Sequence, residues 1–262
     1  MAAVTTTALA AMKEKGEKIT MVTGYDYPFA RLLDEAGIDV ILVGDSVGVV
    51  VAGYKDTLPV TVEEMIYHGR AVVRGSERAL VVIDLPFMSY QISIADAKAQ
   101  AGRIMKETGA GAVKLEGGTG MAETIRALVE IGIPVCGHIG LTPQAVNQLG
   151  GFKVQRERER LLADAEAVAA AGAFALVIEC VPAEIAAEIS RRVAIPTIGI
   201  GAGAGCDGQV LVLHDMLGLF DRFRPSFVKQ YADLGRQALK ALESYKHEVR
   251  EGVFPGPEHS FE

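Results

Sequence analysis

The sequence contains no tryptophan, few aromatic residues (6% in all) and only three cysteines among its 262 residues. Cys136, Cys180 and Cys206 lie far apart and are odd in number, which is typical of reduced thiols in a cytosolic protein. No two of them have the close spacing of a structural zinc site. The cysteine pattern therefore argues against a disulfide framework and against structural zinc, and it favours a cytoplasmic protein.

The sequence also has no excess of basic residues. It contains 26 Lys and Arg and 33 Asp and Glu, which gives a formal net charge of −7. Binding to nucleic-acid phosphates requires a basic surface, so we expect no nucleic-acid partner. No apolar run is long enough to cross a bilayer. The first residues lack the basic and apolar regions of a signal peptide, so we expect neither a signal peptide nor a membrane partner.

Hydrophobic residues are abundant, at 50% of the sequence, which is enough to bury a large core. Short runs rich in Val, Ile and Leu recur at about the spacing of a β-strand followed by a crossover helix. Most runs are apolar at consecutive positions, as expected for parallel strands that are buried on both faces. The predicted strands are residues 19–23, 40–44, 79–84, 112–116, 134–138, 175–179, 196–200 and 209–213.

Helix signals lie between these strands. Thr61 and Glu64 form a capping box, and Gly75 can end the helix that follows. Ser93 can cap a helix that runs through Met105. Further helices are predicted over residues 157–171, 183–193 and 227–250.

Strands that alternate with helices fit either a (β/α)8 barrel or a doubly wound sheet. We prefer the barrel because polar residues follow many different strands, whereas an open sheet would concentrate them at its switch point. The length of 262 residues also matches the ~250 of a typical barrel. We predict one barrel domain over residues 1–262, with an N-terminal helical extension (1–17) that covers the lower mouth and a loosely packed C-terminal tail (251–262).

Charged side chains occur at the ends of five consecutive predicted strands. They are Asp45, Asp84, Lys114, Glu116, His138 and Glu179. Because the strand ends of a barrel meet at one mouth, we expect four carboxylates to face the single cation of Lys114. Like charges repel strongly in a partly dry cleft, which predicts a bound divalent cation. The oxygen-only ligands favour Mg²⁺ over Zn²⁺.

A 2-keto acid could chelate such an ion through a carboxylate oxygen and its ketone oxygen. The ion would then stabilise the enolate that forms when a proton leaves the neighbouring carbon. Glu179 is the carboxylate left over for removing that proton. Lys114 and Ser46 are candidates for holding the substrate carboxylate. The sequence therefore indicates enolate chemistry on a small keto acid.

Each of these residues also has an ordinary structural interpretation. An Asp after a strand is usually a helix cap or part of a turn, and Lys114 with Glu116 is more often a structural ion pair. His138 is about as often a core histidine as a catalytic one. The glycine-rich residues 199–205 lack the following helix and acidic residue of a dinucleotide fingerprint, so we interpret them as a tight rim loop. Only the joint pattern of charged strand ends favours a functional site.

Segments spread over nearly the whole chain carry a resemblance to a known family. They are residues 23–26, 43–46, 57–61, 84–88, 113–118, 134–144, 179–182, 198–203, 207–209 and 255–261. On these segments the sequence resembles the ketopantoate hydroxymethyltransferase family, which has a (β/α)8 barrel of the phosphoenolpyruvate/pyruvate type. The sequence departs from the family at Arg156, where a glycine is expected, and at Ala204 and Gly205, where an asparagine-containing loop is expected.

The resemblance implies transfer of a hydroxymethyl group from 5,10-methylenetetrahydrofolate to 3-methyl-2-oxobutanoate, giving 2-dehydropantoate in the first step of pantothenate biosynthesis. It also implies a cytoplasmic homodecamer with one Mg²⁺ per subunit. The matching positions are Asp45, Asp84 and Glu116 for the metal, Asp45, Ser46, Asp84 and Lys114 for the keto acid, and Glu179 for the proton acceptor. His138 is a possible auxiliary residue.

Three other functions fit the same residues. The first is a lyase that breaks a carbon–carbon bond of a 2-keto or 2-hydroxy acid without folate. The second is an aldolase that uses Lys114 as a Schiff base. The third is a non-catalytic barrel that binds a small acid, and the clustered carboxylates argue against it because a binder of acids favours Arg and Lys.

Overall fold

Eight parallel strands form the centre of the computed structural model, which describes residues 2–261. They are β1 (Ile19–Thr23), β2 (Val40–Val43), β3 (Leu80–Asp84), β4 (Ala112–Lys114), β5 (Val135–Gly140), β6 (Ala175–Glu179), β7 (Thr197–Ile200) and β8 (Gly208–Leu211). Each strand pairs with the next and β8 pairs with β1, so the sheet is a closed barrel. The predicted barrel is confirmed, and the doubly wound sheet, whose edge strands would stay apart, is excluded.

Helices connect most of the strands. They are α1 (Thr6–Lys15), α2 (Tyr27–Glu35), α3 (Val47–Val50), α4 (Val62–Gly75), α5 (Ile94–Thr108), α6 (Ala122–Glu130), α7 (Val146–Leu149), α8 (Arg158–Ala170), α9 (Ala183–Arg192), α10 (Leu213–Met216) and α11 (Leu234–Arg250). Short 3₁₀ turns occupy Thr119–Met121, Pro143–Ala145 and Pro257–His259. No described helix is both long enough and apolar enough to cross a membrane.

Branched apolar side chains explain why the strands form. The sequence of β2 is Val-Ile-Leu-Val, and all of its residues are buried, as are all those of β3 and β7. Such side chains favour extended backbone and pack well on a pleated surface. A barrel strand is covered by side chains inside and by helices outside, so uninterrupted apolar runs are what this fold requires.

The strand register brings the charged strand ends to one mouth of the barrel. Asp84 pairs with Lys114 across β3 and β4, and Gly140 pairs with Glu179 across β5 and β6. Because every strand is parallel to its neighbours, all carboxyl ends open on the same side. Residues that follow β2 to β6 are therefore neighbours around one rim.

The predicted helix caps are present in α4 and α5. Thr61 Oγ1 accepts a hydrogen bond from the backbone N–H of Glu64, and the Glu64 carboxylate accepts one from the backbone N–H of Thr61. This is the predicted capping box at the start of α4. Ser93 Oγ accepts a hydrogen bond from the backbone N–H of Asp96 and caps α5 in the same way.

The predicted N-terminal extension contains α1, which packs against the barrel. Leu9 is fully buried, and the ammonium group of Lys13 donates to the carbonyls of Ser190 and Ile195 and to the carboxylate of Asp207 at 2.8–3.0 Å. Ile195 and Asp207 lie just before β7 and β8. The helix is therefore held where the strands begin, at the end opposite to the charged rim.

The chain divides into two compact units, Met1–Val212 with the barrel and Leu213–Glu262 with α10 and α11. The sequence predicts a helix from residue 227, but α11 begins at Leu234. The reason lies within the second unit, where the N–H groups of Tyr231 and Leu234 donate to the carbonyls of Met216 and Leu217 and hold the preceding segment as a loop. The single domain over residues 1–262 stays a prediction.

The predicted tail turns back on the end of α11 over its described residues, 251–261. The ring of Phe254 lies 5.7 Å from that of Tyr245 and 5.3 Å from that of His259. These ring contacts give the tail a defined position in the second unit. Like α11, the described part of the tail buries none of its residues.

Candidate active site

Five neighbouring strands supply the charged groups of the site. Asp45 follows β2, Asp84 ends β3, and Lys114 ends β4 with Glu116 two residues later. His138 lies in β5, and Glu179 ends β6. The first five of these residues are at most 6% exposed, whereas the side chain of Glu179 is 15% exposed. The sequence-predicted residues therefore meet at the carboxyl end of the barrel, and Glu179 is the most accessible of them.

Lys114 is the central cation of the site. Its Nζ lies 3.0 Å from Asp84 Oδ1 and 3.3 Å from His138 Nδ1. Burial alone would lower the pKa of Lys114, but the carboxylates of Asp84, Glu116 and Asp45 outweigh burial and raise this pKa above its ordinary value. The ammonium group therefore stays protonated. A protonated amine is not a nucleophile, which argues against the Schiff-base interpretation.

Asp45 and Asp84 form a buried acidic pair. The backbone N–H of Asp45 donates to Asp84 Oδ2 at 3.0 Å. Burial, together with the charges of Asp84 and Glu116, raises the pKa of Asp45 well above its ordinary value. Burial also raises the pKa of Asp84, although Lys114 opposes the shift. Negative charge on this pair is therefore costly until a proton or a cation balances it.

His138 connects the lysine side of the site with Glu179. Its Nε2 lies 3.2 Å from Glu179 Oε2, out of line for a good hydrogen bond, and its Nδ1 lies 3.6 Å from Glu116 Oε1. Burial and the charge of Lys114 lower the pKa of His138, but the carboxylates of Glu116 and Glu179 raise it to about 9. A ring that is protonated on both nitrogens carries a positive charge that attracts the carboxylates of Glu116 and Glu179. The contact with Lys114 instead needs an unprotonated Nδ1, because an ammonium group can only donate.

The backbone around Glu179 is tightly fixed. Its carbonyl oxygen accepts a hydrogen bond from Leu141 N at 2.9 Å, and the next N–H, that of Cys180, donates to Ile200 O at 2.9 Å. Cys180 adopts a positive φ of 49°, which is uncommon for a residue with a side chain. Gly140 has a φ of 93°, and a Cβ there would clash with the Glu179 carbonyl. The ends of β5 and β6 can therefore approach only because residue 140 is glycine.

Ser46 lies beside the acidic pair. A Cβ placed on Gly44 would be 2.8 Å from Ser46 Oγ and 3.5 Å from Asp84 Oδ2, so both oxygens lie on the same side of Gly44. The hydroxyl of Tyr25 is 2.8 Å from Ser46 Oγ, and the carbonyl of Tyr25 lies 2.7 Å from His68 Nδ1. Ser46 directly precedes α3, and its side chain makes no hydrogen bond that caps this helix. Its hydroxyl is therefore oriented toward the site by Tyr25.

Sequence reasoning missed two residues of the site, Gln144 and Tyr90. The side chain of Gln144 donates to Asp45 Oδ2 at 2.9 Å, and its backbone N–H donates to Glu116 Oε2 at 3.0 Å. The hydroxyl of Tyr90 is 2.7 Å from Gln144 Oε1 and accepts from the backbone N–H of Glu116. Gln144 closes one of the family-like segments, but an uncharged amide in a turn gives no chemical signal of its own. Tyr90 lies in a loop without a repeating pattern.

The cysteines and the glycine-rich segment behave as predicted. Cys136 is buried and Cys180 is half-buried, and burial raises the pKa of each thiol to about 12. Neither is therefore a thiolate nucleophile at neutral pH. Residues 201–207 form the loop between β7 and β8, without a helix, and Gly201 and Gly203 have positive φ values of 61° and 78°. This is the predicted rim loop and not a dinucleotide site.

The oxygen ligands of the site fit Mg²⁺. Among the described residues, no three His, Cys, Asp or Glu side chains are arranged to hold an ion by themselves. Mg²⁺ does not need three, because it usually takes one or two carboxylates and completes its shell with water or substrate. The contacts of Asp45, Asp84 and Glu116 supply closely spaced oxygen atoms with excess negative charge. The ligand set itself stays a prediction.

Comparison with known proteins identifies the family. The family model described as ketopantoate hydroxymethyltransferase matches residues 3–257. This chain belongs to the ketopantoate hydroxymethyltransferase family. The predicted family is therefore confirmed, and with it the prediction that the chain is an enzyme of the hydroxymethyltransferase class.

Curated relatives in the ketopantoate hydroxymethyltransferase family cover the whole fold. The protein named 3-methyl-2-oxobutanoate hydroxymethyltransferase in Moorella thermoacetica is 62% identical over 98% of this chain and 97% of its own length. The proteins of the same name in Heliobacterium modesticaldum and Syntrophus aciditrophicus are 60% and 56% identical, over 95% and 98% of this chain and 92% and 96% of their own lengths.

Solved structures that are distant in sequence share the fold of the family. Phosphoenolpyruvate phosphomutase from Streptomyces platensis subsp. rosaceus superimposes with a TM-score of 0.63 at 16% identity, covering 95% of this chain and 88% of that chain. 2,3-Dimethylmalate lyase, a member of the PEP mutase/isocitrate lyase superfamily, gives a TM-score of 0.62 at 18% identity, covering 100% and 93%. These similarities support the predicted (β/α)8 barrel.

Proposed function

We propose that this chain transfers a hydroxymethyl group from 5,10-methylenetetrahydrofolate to 3-methyl-2-oxobutanoate, giving 2-dehydropantoate for pantothenate biosynthesis, with Mg²⁺ as its metal. One observation carries the proposal: four carboxylates share a rim with the ammonium group of Lys114. The names of the 56–62% identical relatives supply the acceptor. The donor and the metal are what the family resemblance implies.

The charge of the site supports a bound divalent cation. Asp45, Asp84 and Glu116 are buried around Lys114, and the pKa of Asp45 is raised by its acidic neighbours. When bound, Mg²⁺ supplies a Lewis acid that polarises the ketone of the keto acid and stabilises negative charge on its oxygen. Asp45, Asp84 and Glu116 are the residues that would hold it, directly or through water.

We assign the binding of the keto-acid carboxylate to Lys114 and Ser46. The raised pKa of Lys114 keeps its ammonium group charged through the reaction, and ammonium–carboxylate hydrogen bonds are among the stronger ones in proteins. Tyr25 orients the Ser46 hydroxyl at 2.8 Å. Both groups therefore fix the substrate before any proton moves.

We assign removal of the proton from carbon three of the keto acid to Glu179. It is the most exposed carboxylate of the site, at 15%, and His138 lies 3.2 Å from its Oε2. The proton moves from carbon three to a Glu179 oxygen, and the carbon is then the nucleophile that attacks the methylene carbon of the donor. The methylene carbon loses its bonds to the two folate nitrogens, and water supplies the hydroxyl group of the product. The proton held by Glu179 and one proton of that water complete the two N–H groups of the tetrahydrofolate that leaves. His138 lies beside the Glu179 carboxylate and helps to balance its negative charge.

We also propose a cytoplasmic homodecamer with one Mg²⁺ per subunit. An exposed apolar face of α11 supports association, because Leu239, Leu242, Tyr245 and Val249 are 45–65% exposed. Monomeric proteins rarely expose large contiguous apolar patches. Sedimentation equilibrium of the purified protein tests the subunit number, and a monomeric mass would contradict it.

A product assay tests the proposed reaction against its rivals. The metal-free protein receives 3-methyl-2-oxobutanoate, the folate donor and Mg²⁺, each omitted in turn, and 2-dehydropantoate is measured by mass spectrometry. We expect product only with all three present. Cleavage of 2-keto or 2-hydroxy acids without folate would instead indicate the lyase. Trapping of substrate by borohydride, with activity unaffected by chelators, would indicate the aldolase.

A further inference from the structure

We propose that Gln144 is a positioning residue that holds Asp45 and Glu116 so that each offers a single oxygen to the cation, and that it thereby favours Mg²⁺ over Ca²⁺. The inference rests on the proposed Mg²⁺-dependent function. Gln144 is 6% exposed and lies in the 3₁₀ turn Pro143–Ala145 that follows β5. Sequence reasoning assigned it no role.

The amide of Gln144 can have only one orientation. Its Nε2 lies 2.9 Å from Asp45 Oδ2 and 2.9 Å from the carbonyl of Leu85, and a carboxylate and a carbonyl only accept. Its Oε1 lies 3.0 Å from the Nε2 of Gln91 and 2.7 Å from the hydroxyl of Tyr90, both of which can donate. Rotating the amide by half a turn would place its oxygen against the acceptor oxygens of Asp45 and Leu85. The same rotation would place its nitrogen against the donor nitrogen of Gln91. Gln144 is therefore a fixed donor to Asp45.

The same residue also bonds a second carboxylate. The backbone N–H of Gln144 donates to Glu116 Oε2 at 3.0 Å. One oxygen of Asp45 and one oxygen of Glu116 are thus occupied by a single residue. The oxygens that receive no hydrogen bond from Gln144 are Oδ1 of Asp45 and Oε1 of Glu116. Each carboxylate is therefore prepared to bind through one oxygen and not through both.

The position of Gln144 is itself firmly set. Pro143 stands at the start of its turn and restricts the backbone, and the N–H of Ala145 donates to the carbonyl of Thr142 at 2.9 Å. The hydroxyl of Tyr90 ties the turn to the loop after β3 and to the backbone of Glu116. The donor groups of Gln144 therefore belong to a turn that hydrogen bonds to two neighbouring loops hold in place.

This arrangement distinguishes between cations of different size. Mg²⁺ requires near-ideal octahedral geometry, whereas Ca²⁺ takes more oxygens and accepts carboxylates through both oxygens at once. With one oxygen of each carboxylate engaged by Gln144, binding of both oxygens to one ion would have to distort these hydrogen bonds and is therefore disfavoured. Releasing Asp45 from Gln144 should therefore harm Mg²⁺ binding and spare or improve Ca²⁺ binding.

The test measures Mg²⁺ and Ca²⁺ dissociation constants by isothermal titration calorimetry on the full chain in its native assembly. Gln144→Met keeps the length of the side chain and the backbone bond to Glu116 but removes the amide. We expect Mg²⁺ affinity to fall about 10–100-fold, the usual effect of losing a group that orients a metal ligand. We expect Ca²⁺ affinity to hold or rise, so that the Mg²⁺/Ca²⁺ preference falls at least tenfold.

Two further variants keep the test decisive. Gln144→Asn retains a polar amide but is one methylene too short for all its contacts, so it should lower the same ratio even if Gln144→Met does not fold. Gln148→Met makes the matched change at an exposed glutamine of α7 and should leave both constants unchanged. Equal weakening of both ions in the Gln144 variants, or wild-type constants, would overturn the inference. Absence of Mg²⁺ binding by the wild-type protein would instead overturn the proposed function.

Discussion

The replacement Glu179→Gln tests the assignment of the proton acceptor. Glutamine has nearly the shape of glutamate and keeps one acceptor oxygen, but it cannot take a proton at neutral pH. The change should therefore leave the fold, the Asp45–Asp84 pair and the Lys114 ammonium group in place. We expect the keto acid to bind nearly as well as in the wild-type protein, while proton removal from its carbon three fails.

The expected magnitude follows from the other carboxylates, none of which can replace Glu179. Asp84 faces Lys114 at 3.0 Å and accepts from the backbone of Asp45, and Gln144 donates to both Asp45 and Glu116. General-base catalysis contributes typically 10²–10⁴-fold. Without a substitute base we expect a loss of about 10³-fold, which corresponds to about 4 kcal/mol in the activation free energy.

The assay follows exchange of the carbon-three proton of 3-methyl-2-oxobutanoate with deuterated water by NMR, without folate, so that only the first step is observed. Glu184→Gln is the matched control, because Glu184 is an exposed acid in the first turn of α9, and it should exchange at the wild-type rate. Wild-type exchange by Glu179→Gln would refute the assignment of the base. Lost exchange together with lost substrate binding would refute the claim that Glu179 acts only on the proton.

Two other replacements probe the charge balance. Burial and the charges of Asp84 and Glu116 raise the pKa of Asp45 above 3.8. Protonated Asp45 therefore stabilises the fold at low pH, and this stabilisation is lost as the pH rises through the raised pKa. Asp45→Asn should therefore stabilise the metal-free protein in urea by about 1–3 kcal/mol at pH 8 but not at pH 4, and equal effects at both would contradict the shift. Lys114→Met leaves buried carboxylates without their cation and should cost about 3–5 kcal/mol of unfolding free energy without Mg²⁺. A loss that Mg²⁺ does not reduce would contradict the proposed ion.

The barrel strands were predictable to within about two residues because local apolar runs define them. The errors occur where pairing between strands decides the boundary. β5 was predicted to end at His138 but continues to Gly140, because Ile139 and Gly140 pair with β6. β4 was predicted to reach Glu116 but ends at Lys114. There, Gly117 turns to form an antiparallel bridge with His138.

The charged residues of the site were predictable for a related reason. A charge at the end of a buried strand is visible in the sequence, and parallel strands place such ends together. Gln144 was not predictable in this way. It bonds Asp45, which lies 99 positions away, through a contact that exists only after the barrel closes. Neither residue type nor local spacing encodes such a contact.

Apolar runs that alternate with helix signals determined the order of strands and helices, and the charged strand ends favoured the barrel and indicated which residues reach its mouth, because both depend on neighbours along the chain. The closure of the barrel itself depends on the pairing of β8 with β1. Only the tertiary structure decided that Lys114 stays charged, that His138 contacts both Lys114 and Glu179, and that Gln144 fixes two carboxylates. The physical reason is that electrostatic shifts and hydrogen bonds depend on distances of a few ångströms and on burial. Those distances are set by the packing of loops that are remote from one another in the sequence.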